Sequence, residues 1–252
     1  MLLSGIIEKQ LSERIRLTYF DVVEYDDFAE CLDRHLPTVW FGPREQRCVE
    51  VTKRKVRGYF EPKLTNLCGS CAEIFLHIYL GQNGYQQACL CSNLEEESIK
   101  KGFDGFYIKD ERYWLMESKS SIRGNKTHLS KVKEAYRDLC NKIVAFDGND
   151  PWQNALNHAY AAGIDGSIAD QIRLLSDDFT LGRVHKAEEF NMIPCGTVFI
   201  EATLTKEQVE ELSSRAYRFF EQQEYASLHM VCVSHSALVG FLRYLGLEYV
   251  SE

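Results

Sequence analysis

Gly102-Phe103-Asp104-Gly105-Phe106-Tyr107-Ile108, followed after Lys109-Asp110-Glu111-Arg112 by Tyr113-Trp114-Leu115-Met116-Glu117-Ser118-Lys119, is the stretch on which the fold turns. The runs Phe103 to Ile108 and Tyr113 to Glu117 are rich in aromatic and long apolar residues, and only four polar residues separate them, which is the spacing of a β-hairpin. An even-length turn centred between Asp110 and Glu111 pairs Ile108 with Tyr113, Phe106 with Leu115 and Asp104 with Glu117. Residues facing each other across an antiparallel ladder have Cβ atoms roughly 5 Å apart. A slip of one residue would send the two acids to opposite faces. Residues i and i+2 of a strand share a face, so Lys119 emerges beside Glu117.

Two carboxylates at that separation repel, and a hard divalent cation between them relieves the repulsion by oxygen ligation. A neighbouring lysine can orient or deprotonate a bound water, or neutralise charge on a phosphoryl oxygen. Two acids, one cation and one lysine suit phosphodiester hydrolysis. A second Glu-x-Lys, Glu61-Pro62-Lys63, serves as a control: its central proline and the lack of a surrounding apolar strand make it a loop. The plain alternative for Glu117 and Lys119 is a solvated strand end with a surface ion pair.

Working outward, Thr65 to Gly81 is expected to form a helix buried on most sides, because nearly everything from Cys71 to Leu80 is apolar. Within it Glu73 and His77 are the polar pair, at i and i+4 and so on one face. Gln87 to Ser92 reads as a strand leading into an acidic turn through Glu97. Ser130 to Ala145 has apolar residues at helical period with a basic opposite face. Arg14 to Val23 is expected as a strand, Asp26 to Leu36 as a short helix capped by Asp26 or Asp27, and Trp152 to Leu181 as interrupted helix. Gly196 to Leu204 and Leu228 to Ser234 read as strands; Lys206 to Glu224 and Ala237 to Leu245 read as helices.

The 252 residues suit one domain: an N-terminal extension over 1–64, a core over 65–146, a helical insertion over 147–195, and further strands and helices of the same domain over 196–252. The fold class is α/β, with a central mixed sheet flanked by helices. Whether the strand beyond the hairpin and its following helix lies near Ile143 or at 197–203 stays open. The first nine residues fail as a signal peptide, and no apolar run reaches membrane-spanning length. Nine scattered cysteines argue for free thiols in a reducing cytoplasm rather than disulfides. A net charge of −8 disfavours nucleic acid globally, but Lys119 to Arg137 carries six basic residues against Glu134 alone. Of these, Arg123, Lys126, Lys131 and Lys133, together with His128, are candidates for backbone phosphates, against the simpler reading of a solvated basic face. Cys68, Cys71, Cys89 and Cys91 could be read as a zinc site, but an apolar helix and an apparent strand are poor settings for one.

The segments from Gly102 to Ile108 and from Trp114 to Lys119 resemble the core signature of the PD-(D/E)xK nuclease superfamily, which has the restriction-endonuclease-like fold. The resemblance implies that Asp104 and Glu117 hold Mg²⁺, with Mn²⁺ as a plausible substitute, and that Lys119 serves the attacking water. It also implies a helix-borne glutamate before the hairpin, at the position of Glu73. The helix after the lysine strand offers Tyr136 but not the glutamine of the exonuclease-like branch. At a finer level, residues 65–140 and the chain length resemble HamA, the nuclease subunit of the Hachiman antiviral defence system. That likeness implies DNA as substrate and a helicase partner, HamB-like, that restrains the nuclease until triggered. The rival class is a non-catalytic adaptor of the same fold that binds nucleic acid or a partner protein.

Overall fold

The computed structural model describes residues 5–22, 24–42, 47–60, 67–91, 102–122, 125–144, 150–199 and 203–247. The hairpin comes first in importance. β4 (Gly105–Lys109) and β5 (Arg112–Ser121) pair antiparallel, with Ile108 opposite Tyr113, Phe106 opposite Leu115 and Gly105 opposite Met116. This is the register the sequence predicts. Asp110 and Glu111 form its two-residue turn, and both are left-handed, at φ 50° and 59°. Such a turn matches the twist of the strands, although glycine or asparagine fits it with less strain.

Among the described residues seven strands form one sheet in the order β1-β2-β7-β6-β5-β4-β3, using β1 (Ile6–Ser12), β2 (Ile15–Phe20), β3 (Gln86–Gln87), β6 (Asn191–Val198) and β7 (Ser227–Val233). The four inner strands β2, β7, β6 and β5 run parallel, and antiparallel pairs close both edges. Strands β1 and β2, from the first 64 residues, therefore join the same sheet as the hairpin. Parallel neighbours require crossovers, which helices supply. Between β5 and β6 run α4 (His128–Val144), α5 (Pro151–Ala162) and α6 (Gly166–Thr180); between β6 and β7 runs α7 (Lys206–Phe220). The remaining helices are α1 (Tyr25–Phe41), α2 (Val49–Phe60), α3 (Leu67–Gln82) and α8 (His235–Leu245).

Alternation along the strands divides the interior in two. Tyr107, Met116, Ile193, Cys195, Val231 and Val233 pack with α1, α3 and α8 on one face. Phe106, Leu115, Met192, Tyr19 and Cys232 pack with α4, α5 and α7 on the other. β6 is buried along its whole length, as a parallel strand covered on both faces should be.

Several expectations need correction. The strand placed at Gly196 to Leu204 begins at Asn191 instead, and the position near Ile143 belongs to α4. Pro194 and Gly196 carry little strand propensity, but enclosure between β5 and β7 overrides it. The strand at Gln87 to Ser92 shrinks to Gln86–Gln87, because only that much pairs with β4. The helix at Asp26 to Leu36 runs from Tyr25 to Phe41 through Pro37, with Glu24 at its N-cap position and no side-chain cap. Helix α2 and strand β1 were not anticipated. The Glu61-Pro62-Lys63 loop and the acidic turn through Glu97 lie outside the described residues.

A polar network is buried where β2, β7 and α3 meet. The Thr18 hydroxyl lies 2.9 Å from the Tyr79 hydroxyl and 3.0 Å from His229 Nε2, while the Tyr85 hydroxyl lies 2.9 Å from His229 Nδ1. Tyr79 also donates to Glu8, which pairs with Arg16. Burial, with the charges of Arg16 and Lys109 adding to it, holds His229 neutral well below the usual imidazole range. Burial likewise lowers His128. A depressed histidine contributes stability above its unfolded pKa, near 6.5, and loses it as pH falls. Unfolding free energy should therefore decline below about pH 6.5, each histidine contributing up to about 1.4 kcal/mol per pH unit. Urea titrations of His229→Gln should show a shallower slope between pH 6.5 and 5 than the parent; identical slopes would refute the assignment. At the hairpin, Glu111→Gly should raise stability by about 0.5–1 kcal/mol, since a left-handed residue with a Cβ is replaced by one without. A lowered urea midpoint would contradict that turn geometry.

Candidate active site

Glu117 lies near the middle of β5, opposite the helix α4 rather than at a solvated strand end, and is 2% exposed. Asp104, just before β4, reaches the same place: its Oδ2 accepts from the Ser118 amide at 2.9 Å. This bond ties the entry of β4 to β5 at the level of Glu117, as the register requires. Burial raises the Glu117 pKa, and the Asp104 charge raises it further, with Lys142 and Lys119 opposing.

Both carboxylate oxygens of Glu117 are taken. Oε1 accepts from Lys119 Nζ at 3.0 Å, and Oε2 accepts from Lys142 Nζ. Lys119 also pairs with Asp138 at 2.6 Å, and Lys142 donates to the Gly102 carbonyl at 2.9 Å. Burial works against the Lys119 charge, but the carboxylates of Asp138 and Glu117 prevail and hold its pKa above the ordinary range. Lys119 is thus an ammonium held between two carboxylates. A surface ion pair does not describe this arrangement.

Asp138 and Lys142 were not identified from sequence. They stand one turn apart on α4, beside the apolar stripe of Leu139 and Ile143 that faces the sheet. Polar positions bordering such a stripe are the ones that reach the sheet surface, which is the signal that could have found them.

Glu73 stands on α3, which packs on the face of the sheet opposite α4, and is partly buried. Burial pushes the Cys89 thiol up to about 12, with the charges of Asp104 and Glu73 adding to it. His77, beside Glu73 on α3, is buried and bonded to the Tyr107 hydroxyl. Cys31, Cys71, Cys89, Cys195 and Cys232 are buried thiols. Among the described residues no three of His, Cys, Asp and Glu are gathered closely enough to hold a metal ion as they stand.

The basic candidates divide. Lys126 is exposed; Lys131 pairs with Glu134 at 2.8 Å, and Lys133 sits 3.8 Å over the Phe219 ring. Arg123 lies outside the described residues. His128 is not a phosphate contact: it is buried, and its Nδ1 is 2.8 Å from the Gly196 carbonyl. Tyr136 is likewise in the core, against Phe220, with its hydroxyl on the Glu224 carbonyl.

α4 can deliver Asp138 and Lys142 because it lies very close to β6. Gly196 is the register partner of Lys119, and a Cβ there would come within 2.5 Å of the His128 carbonyl and 2.9 Å of the Val132 amide. Gly196→Ala must push the helix off the sheet. It should cost about 3 kcal/mol in urea denaturation. A loss below 1 kcal/mol would show that this contact does not set the helix position.

The family model for HamA matches residues 5–180, well over half of the chain. The span includes Glu73, Asp104, Glu117, Lys119, Asp138 and Lys142, and stops before β6. No curated protein matches the chain. With the match extending across β1 to α6 and through every residue of the centre around Glu117, the chain belongs to the HamA family, whose name ties it to the Hachiman antiviral defence system.

Proposed function

We propose that this chain is a Mg²⁺-dependent deoxyribonuclease of the PD-(D/E)xK type, acting as the nuclease of a Hachiman system and restrained by a helicase partner until infection triggers it. The observation that carries the reading is the placement of Asp104 opposite Glu117, with Lys119 two residues on along the same face.

The donor set fits a hard divalent cation. Asp104 and Glu117 would supply carboxylate oxygens at one point of the sheet, and such a cation would relieve their mutual repulsion. Glu73 would assist from α3. Mg²⁺, or Mn²⁺ in its place, would supply Lewis-acid activation of water and of the phosphoryl group there. The protein's own contribution is positional and electrostatic. The hairpin fixes the two acids relative to each other, and Asp138 holds the Lys119 ammonium beside Glu117. That ammonium is placed to orient a nucleophile and to offset charge developing on a phosphoryl oxygen. Lys126, Lys131 and Lys133, on or just before α4, and Arg123 would contact the DNA backbone; Lys131 and Lys133 would exchange their present partners for phosphates.

The test is nicking of supercoiled plasmid by purified protein in Mg²⁺, supplied with its helicase partner if the isolated chain is silent. Glu117→Ala should abolish cleavage, and Lys119→Ala should reduce it by about 100-fold or more. Equal cleavage by all three proteins would sink the active-site assignment. Absence of cleavage even with the partner and Mg²⁺ present would favour the adaptor reading instead.

A further inference from the structure

The two ammonium groups on Glu117 are not equivalent. Lys119 belongs to the same strand and divides its charge between Glu117 and Asp138. Lys142 comes from α4, and among the described residues its carboxylate partner is Glu117. Its remaining bond goes to the carbonyl of Gly102, two residues before Asp104. One side chain therefore spans the helix, the entry to β4 and the buried acid of β5. A carboxyl as deeply enclosed as Glu117 stays ionised only with a compensating charge beside it. Lys142 supplies much of that charge at Oε2, and a cation held by Asp104 and Glu117 would compete with it for the carboxylate.

We propose that Lys142 is a resident counter-ion, an ammonium that holds the Glu117 Oε2 position while no divalent cation is bound and gives it up when one binds. The inference rests on the proposed cation site at Asp104 and Glu117, and it adds a property that site alone would not have. Binding of the cation is opposed by the ion pair it must break, so Lys142 lowers cation affinity while keeping the cation-free protein folded. The two ligands of one carboxylate are antagonistic, and the antagonism is reciprocal.

The experiment measures Mn²⁺ binding by calorimetry at pH 8, with the melting temperature in EDTA and in saturating Mn²⁺. Lys142→Met should melt below the parent in EDTA, gain more degrees from Mn²⁺ than the parent does, and bind Mn²⁺ about tenfold more tightly, within the usual range of coupling between antagonistic ligands. Lys142→Gln can still donate to the Gly102 carbonyl but carries no charge; it should shift in the same direction and stands in if the methionine variant fails to fold. Unchanged or weaker Mn²⁺ binding in the folded Lys142 variants would overturn the proposal, the weaker result making Lys142 a positioning residue that supports the cation. Glu117→Gln separates the two levels of argument. If Glu117→Gln binds Mn²⁺ as the parent does, the cation site itself is misassigned. If it does not bind, the Lys142 variants alone decide the counter-ion role.

Discussion

The charge on Glu117 is the constraint around which the rest is arranged. A carboxylate placed between a sheet and a helix loses nearly all its hydration, and only partners brought to it can offset that loss. Two of them, Lys119 and Lys142, reach it from different elements, and Lys119 needs Asp138 in turn. The network closes only if β5 presents residues 117 and 119 toward α4, and only if α4 lies near enough for two side chains one turn apart to reach them. Strand register and helix position, ordinarily matters of packing, are here also conditions for charge balance.

Each condition has its own local cause. Register comes from the two-residue turn at Asp110 and Glu111, whose left-handed conformation matches strand twist and whose length fixes which residues oppose which. Helix position comes from Gly196, which lets the backbone of α4 approach β6 more closely than any side chain would allow. The amide of Ser118 adds a third restraint by holding Asp104 in line. None of these three features carries chemistry, yet displacing any of them would separate the charged groups.

What could be read from sequence follows the range of the interactions concerned. The hairpin was legible to the residue because its determinants, two apolar runs and a short polar turn, lie within 18 consecutive residues. The core of α3 and the apolar stripe of α4 were legible through periodicity. β6 was misplaced because its strand character comes from burial between two neighbours and runs against Pro194 and Gly196. Asp138 and Lys142 escaped notice because an acid and a lysine four residues apart on a basic helix look like solvated charge; only the approach of α4 to β5 turns them inward. His128 failed in the opposite sense, being one of several basic residues by sequence and a buried neutral ring by position.

The same distinction bears on how the centre is divided along the chain. Asp104, Lys119, Asp138 and Lys142, the charged side chains around Glu117, come from residues 104 to 142, within the part matched to the family, whereas β6 and β7 follow later and complete the sheet. What β6 supplies at this point is backbone: a ladder that holds β5, a carbonyl that satisfies His128, and a position with no side chain at 196. Such requirements are met by geometry rather than by functional groups. The interrupted helices α5 and α6 occupy the long crossover before β6, and since parallel strands need a crossover in any case, that length can be spent there without disturbing the register of β5 against β6. The charged centre is therefore encoded compactly while the support that holds it together is dispersed, and a change far along the chain, in a residue with no charge to offer, acts on the centre through the distance between α4 and the sheet.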